Sequence, residues 1–162
     1  IDDGNPNENF YAAINDGFNA DISIDFDKVS LDKEIDFSGG EDLSDFDYIK
    51  LLINVENKTP LTGDILLEFK NSSGQVVHTE SINAFQAANV NDTGESNGVA
   101  ILSNFEIELN QNEINDIIDA DKINVRVILQ LPTGRDSVMI KGSDELNVAV
   151  AIEANANIIS GN

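Results

Sequence analysis

Cysteine and tryptophan are absent from this sequence, histidine occurs once, proline three times, and only 9 bases stand against 30 acids. The missing cysteines exclude disulfides, thiolate nucleophiles, iron–sulfur clusters and cysteine-held zinc. They leave the compartment open, because a domain of this size folds without a staple even in an oxidising space. With His78 as the single imidazole, no histidine pair exists and a catalytic triad is hard to assemble. Its place in the run Val76-Val77-His78-Thr79-Glu80 reads as a solvent-facing strand position. A net charge of −21 excludes nucleic acid as a partner, since phosphate backbones are bound by Lys and Arg clusters that displace counterions. No run approaches the roughly 18 consecutive apolar residues of a membrane helix, so no transmembrane segment is expected. A nucleophile elbow, a zinc-protease helix motif, a P-loop and a dinucleotide fingerprint are all missing. A glycosidase needs only two carboxylates, but nothing singles out a pair among 30 acids, and Tyr11 and Tyr48 are poor material for a sugar platform. Neither an enzyme nor an obligatory cofactor is expected.

What is present is a chain of 162 residues, 41% of them hydrophobic, which is enough for one packed domain. The first 50 residues carry 14 acids against 3 bases, so the amino-terminal part is the most strongly solvated. The opening Asp2-Asp3-Gly4-Asn5-Pro6-Asn7-Glu8-Asn9 is polar and turn-rich. This predicts a flexible acidic tether over 1–9 and a single domain over 10–162. A start at Ile1, with no Met and no basic-then-apolar leader, reads as a mature or trimmed product.

The dominant pattern has period two. Ile22, Ile24 and Phe26 alternate with acids, and the same alternation returns at Ile49–Val55, Ile65–Phe69, Phe105–Leu109, Ile123–Leu129 and Leu146–Ile152. Shorter strand candidates lie at Val76–Glu80, Val138–Ile140 and Val29–Phe37. Short links bearing Gly or Pro separate the runs and favour antiparallel neighbours. One helix is predicted near 111–119: Asn110 stands where a cap belongs, Glu113 completes the capping box, and Ile114, Ile117 and Ile118 make a stripe. The fold class is therefore all-β, an antiparallel two-sheet β-sandwich of immunoglobulin-like or Greek-key type, with that helix plugging one end. Phe10, Tyr11 and Ile14 fit either an edge strand or a helical turn.

Residues 83–98 form an unusually long connection, which is either a functional loop or a loose crossover between sheets with Phe85 as its apolar anchor. Calcium is the one ligand that the composition permits, because it takes carboxylate and amide oxygens readily. The Asp-x-Asp pairs Asp25/Asp27, Asp45/Asp47 and Asp119/Asp121 each place two carboxylates on one strand face or around one turn. Asp25, Asp27, Asp45 and Asp47 are the candidate calcium ligands, although a solvated acidic face accounts for the same residues. Three N-x-S/T triplets, at Asn57, Asn71 and Asn91, fall in or near turns and are not read as glycosylation sites.

Several of these segments occur in a recognisable order. Asn57-Lys58-Thr59-Pro60-Leu61 leads into Ile65–Phe69, and Ser73-Gly74-Gln75-Val76-Val77 opens the next strand. The 110–120 helix, the 122–131 strand ending in Pro132-Thr133-Gly134, and a closing 146–155 strand follow. Over residues 45–157 this order resembles the β-sandwich modules of secreted or outer-membrane-anchored lipoproteins of Gram-negative bacteria. The resemblance implies a surface assembly, adhesion or scaffold part and a secreted, periplasmic or outer-membrane location, and it brings no functional residues with it. The expected function is a non-catalytic cell-surface or secreted module. A calcium-stabilised binding or adhesion module and a carbohydrate-binding domain are the alternatives. A protein partner, or self-assembly through a strand edge, is the expected mode of interaction.

Overall fold

The computed structural model describes residues 10–11, 23–24, 29–37 and 46–156. In chain order the elements are β1 (Phe10–Tyr11), β2 (Ser23–Ile24), β3 (Val29–Asp36), β4 (Phe46–Asn57), β5 (Thr62–Asn71), β6 (Val76–Phe85), β7 (Ile101–Leu109), α1 (Gln111–Ile117), β8 (Ala120–Gln130), β9 (Val138–Met139) and β10 (Glu145–Ala156). Two antiparallel four-stranded sheets, β1-β10-β4-β7 and β3-β8-β5-β6, face one another, and β2 pairs with β9 in a small ribbon. The expected two-sheet antiparallel sandwich with one short helix is thus the fold.

The pairing is nested. β5 pairs with β6, β4 with β7, β3 with β8 and β1 with β10, as if one long hairpin had been rolled around a core. The further pairs β4 with β10 and β5 with β8 join these ribbons into sheets. Among Greek-key sandwiches this is the jelly-roll connectivity, in which successive strands repeatedly cross from one sheet to the other. Phe10 and Tyr11 form the edge strand of the two alternatives, while Ile14, residues 1–9 and the Ile22 and Phe26 ends of the first alternating run lie outside the described residues.

Alternation dictates the core. Ile49, Leu51, Ile53 and Val55 of β4, Ile65, Leu67 and Phe69 of β5, and Ile123, Val125 and Val127 of β8 are buried on the inner faces. Each buried branched side chain of this kind contributes about 1.5–3 kcal/mol, so these central strands dominate the driving force. The Phe37 ring meets Phe69 edge-on, with centroids 5.4 Å apart. α1 begins as its sequence dictates: Asn110 Oδ1 accepts from the amides of Asn112 and Glu113, and the Glu113 carboxylate accepts from the Asn110 amide. Ile114 and Ile117 are buried beneath it against the sandwich end, but the helix stops at Ile117, two residues earlier than the pattern suggested. Ile118 is left 38% exposed because β8 starts at Ala120, whose burial pulls the chain into the sheet.

At the far end of β6 a register shift occurs between Gly63 and Ile65 of β5, and Ala84 adopts φ +62°. The shift turns Phe85 into the core. A Cβ on Gly63 would collide with the Ile128 carbonyl oxygen and stand 2.9 Å from the Phe85 ring, so only glycine lets the ring lie there. The Thr62 hydroxyl donates to the Phe85 carbonyl, and Asp64 Oδ1 accepts from the Ala84 amide at 3.0 Å, fixing the bulge.

Candidate functional site

Residues 86–100, between β6 and β7, cross from one sheet to the other and are held down along their length. Asn57, at the end of β4, is fully buried and acts as the hub. Its amide nitrogen donates to the carbonyls of Leu61 (2.7 Å) and Gln86 (2.8 Å). Its oxygen accepts from the Thr59 amide and the Thr59 hydroxyl, both at 2.8 Å. All four hydrogen-bonding positions of the side chain are used, the condition under which a buried polar group rigidifies rather than destabilises. Further along, the Ala88 amide donates to the Thr59 carbonyl (2.9 Å) and the Ser96 hydroxyl to the Lys58 carbonyl (2.6 Å). The Met139 amide donates to the Gly94 carbonyl (3.1 Å), and Lys141 Nζ to the Ser96 carbonyl (2.7 Å).

The loop also contains a hairpin of its own. Asn91 Oδ1 accepts from the Thr93 and Glu95 amides, each at 3.0 Å, with Gly94 at φ +83°. The β5–β6 turn has the same construction, since Asn71 Oδ1 accepts from the Ser73 and Gln75 amides and Gly74 has φ +76°. Two of the three N-x-S/T triplets are therefore turn chemistry, with the asparagine nitrogens donating to Gln75 Oε1 and Glu95 Oε2, and the third is the buried hub.

Charged groups flank this clasp. Lys58 Nζ meets Glu145 Oε2 at 2.9 Å. Asp144 is almost wholly buried, with Oδ2 accepting the Lys141 amide at 2.9 Å. Burial pushes its carboxyl above the usual carboxylate range, the Lys141 amide and charge oppose the shift, and the Glu95 charge adds to it. Amines and carboxylates thus meet here, but each is occupied in joining the turns. Among the described residues only the Asn147 side-chain oxygen is buried without a hydrogen-bond partner.

Two other polar constellations stand elsewhere. His78 points inward, contrary to the solvent-facing reading: its side chain is 12% exposed, Nε2 lies 2.8 Å from Glu80, Nδ1 lies 3.9 Å from Asp116 of α1, and the ring packs 5.7 Å from Phe69. The inversion follows from counting back in twos from the buried Ile82, which puts Glu80 and His78 on the inner face. On the outer face of the β3-β8-β5 sheet, Asp32, Glu34, Glu68, Lys70, Lys122, Asn124 and Arg126 form a cross-strand ladder. Asp32 pairs with Arg126, and Glu34 sits 3.0 Å from Lys70 and 3.3 Å from Lys122. The bond from Asn124, and then Arg126, holds the Asp32 carboxyl below its ordinary range, and Lys70 and Lys122 do the same for Glu34.

Of the calcium candidates, Asp25, Asp27 and Asp45 lie outside the described residues, and Asp47 stands in β4 with its side chain outside them. Asp119 and Asp121 flank the buried Ala120 and are both exposed. Among the described residues no three Asp, Glu or His side chains gather as a metal site. Also among the described residues, no helix is long and apolar enough to cross a membrane.

No family model matches this sequence, and no curated protein matches it. Similarity does appear among solved structures. A Parabacteroides distasonis protein described as secreted superposes with a TM-score of 0.55 at 12% identity, over 80% of this chain and 38% of that one. The chain therefore spans well under half the length of that relative. An infectious bursal disease virus structure (Gx strain) matches with a TM-score of 0.45 at 12% identity, over 82% of this chain and 28% of the viral one. Tailspike protein 4 of bacteriophage CBA120 gives 0.41 at 12%, over 92% and 18%.

Proposed function

We propose that the chain is a non-catalytic, secreted or cell-surface module that works as a structural, adhesion or scaffold part through its surface. The observation that carries this reading is the clasp at the loop-bearing end. Asn57 Nδ2 holds the Gln86 carbonyl, the Thr59 carbonyl holds the Ala88 amide, the Ser96 hydroxyl donates to the Lys58 carbonyl and Lys141 Nζ to the Ser96 carbonyl, while the loop rim at Asn91–Thr93 and Asn97–Val99 is exposed. A rigid base with an exposed rim suits recognition, because little ordering entropy is left to be lost on contact. His78 places Nε2 2.8 Å from Glu80 on its own strand and Nδ1 3.9 Å from Asp116 of α1, so its ring sits between β6 and the helix rather than facing an open cleft. The acidic exterior keeps such a module dispersed.

Location is tested in the native host with the full precursor. Residues 1–162 contain no cysteine, so Thr133→Cys in the exposed β8–β9 turn adds one labelling site, read as the difference from the unsubstituted precursor. A membrane-impermeant maleimide is expected to label intact cells or the culture medium; labelling only after lysis contradicts the reading. Turnover of any compound in a glycoside and ester panel contradicts its non-catalytic half.

A further inference from the structure

We propose that β7 is a self-pairing edge, through which two copies of this chain join antiparallel into one continuous eight-stranded sheet. The inference rests on the reading of the chain as an interaction module and names the partner as a second copy.

Exposed edges in monomeric sheet proteins are blunted by bulges, proline, lysine or a covering element. β6, the neighbouring edge of the other sheet, follows that rule: its pairing with β5 shifts register twice and Ala84 takes a left-handed conformation. β7 does not. Its nine residues, Ile-Leu-Ser-Asn-Phe-Glu-Ile-Glu-Leu, pair with β4 without a shift, contain no Pro, Gly, Lys or Arg, and end the β1-β10-β4-β7 order. Two large apolar side chains, Leu102 at 70% and Val99 at 61% exposure, stand at its start.

The residue order selects a register. A two-fold axis perpendicular to the sheet pairs residues of equal parity, so that side chains facing each other share a face. With Phe105 opposite Phe105 of the second copy, all nine residues pair. Leu102 then faces Glu108, Asn104 faces Glu106, and no carboxylate faces another. Sliding by one two-residue step in one direction sets Glu106 against Glu106; a second step sets Glu106 against Glu108. A step in the other direction loses pairs. The strand's own sheet also tempers its charge, because Lys50 lies opposite Glu108 and reaches Glu106 at 3.2 Å.

Edge pairing over nine residues buries less than the roughly 1,200 Å² of a stable interface, and a net charge of −21 on each copy opposes encounter. The association is therefore weak and strengthened by salt. The experiment is sedimentation equilibrium of the full chain up to millimolar concentration, at roughly 20 mM and 500 mM NaCl. Four proteins are compared: wild type, Leu102→Lys, Leu102→Glu, and Thr133→Lys as a charge control in the β8–β9 turn. A monomer–dimer equilibrium that tightens with salt is expected. At 500 mM, Leu102→Lys should tighten it and Leu102→Glu weaken it by roughly two- to thirty-fold, since each altered pair occurs twice in the dimer. Thr133→Lys should leave it within about two-fold of wild type. Asn104→Lys, facing Glu106, should also tighten it; in the register one step away, where residue 104 faces itself, it would weaken it.

Weakening by both Leu102 variants would mean that an apolar patch, not a paired strand, makes the contact, and overturns the proposal. So does a monomer in both salts at all concentrations. Either failure leaves the intact-cell labelling of Thr133→Cys untouched, so the pairing and the module reading fall separately.

Discussion

Removing the Asn57 side chain tests whether the long loop is held by the hub or merely lies against the sandwich. Asn57→Ala deletes four hydrogen bonds of 2.7–2.8 Å, three of them buried, and takes the amide donor from the carbonyls of Leu61 and Gln86. Each bond contributes a net 0.5–1.5 kcal/mol, so with incomplete additivity the loss is about 3–4 kcal/mol. For a chain of this length each kcal/mol moves the midpoint by about 2–4 °C, giving a fall in Tm of about 10 °C. Thr59→Val provides the graded control. It loses the hydroxyl's bond to Asn57 and the 3.2 Å bond from the Leu61 amide, and should cost about 1–2 kcal/mol. Urea unfolding followed by far-ultraviolet circular dichroism reads both. A loss below about 1 kcal/mol for Asn57→Ala would refute the reasoning, because a hub that size cannot be silent if its partners are buried.

Further expectations follow from the same geometry. Asp144 is held above the ordinary carboxylate range, so the native state binds its proton more tightly than the unfolded chain does. Stability from this group is present below the unfolded value and is lost as pH rises through the folded one. Asp144→Asn, which keeps the acceptor for the Lys141 amide, should therefore raise urea stability at neutral pH, with the gain vanishing below about pH 4. Asp32 and Glu34 behave oppositely. Their lowered values add stability above the ordinary carboxylate range that is lost as pH falls through the folded values, so Arg126→Gln, which removes the partner of Asp32, should flatten the acid limb of the urea-stability profile. Phe85→Ala should cost about 3–5 kcal/mol by emptying the site that Gly63 and the Ala84 bulge create, measured by the same unfolding curves. Millimolar calcium and magnesium should shift Tm equally, as ions screening a solvated acidic surface do. A shift specific to calcium would point to a true site at Asp25, Asp27, Asp45 or Asp47.

Strands were legible wherever one face is dry. The inner residues of β4, of β5 and of β8 from Ile123 onward alternate without fault because a slip by one residue would turn every apolar side chain to solvent. The helix start was legible because Asn110 and Glu113 act locally. The nested strand order was not, since β4 pairs with β10 across some ninety residues of sequence and no local pattern records it. The phase of His78 was misread because β6 changes step at its bulge, and Val76-Val77 breaks the alternation at the other end. The clasp was hidden in plain view: Asn57 looks like an ordinary turn asparagine, and only its burial under Gln86 makes it a hub. The likeness between Asn71-Ser72-Ser73-Gly74-Gln75 and Asn91-Asp92-Thr93-Gly94-Glu95 was a signal that could have revealed a hairpin inside the long connection.

Native-state hydrogen exchange of the loop amides and of the β9 amide bonded to the loop is the most direct test. Ala88, Asn91, Asn97 and Met139 donate to backbone carbonyls that the clasp positions, so their exchange should be slow and should open only with steps approaching the global unfolding that protects β5 and β8. Exchange of these four amides within seconds, while β5 and β8 stay protected, would show a loose crossover and contradict a rigid, presented surface.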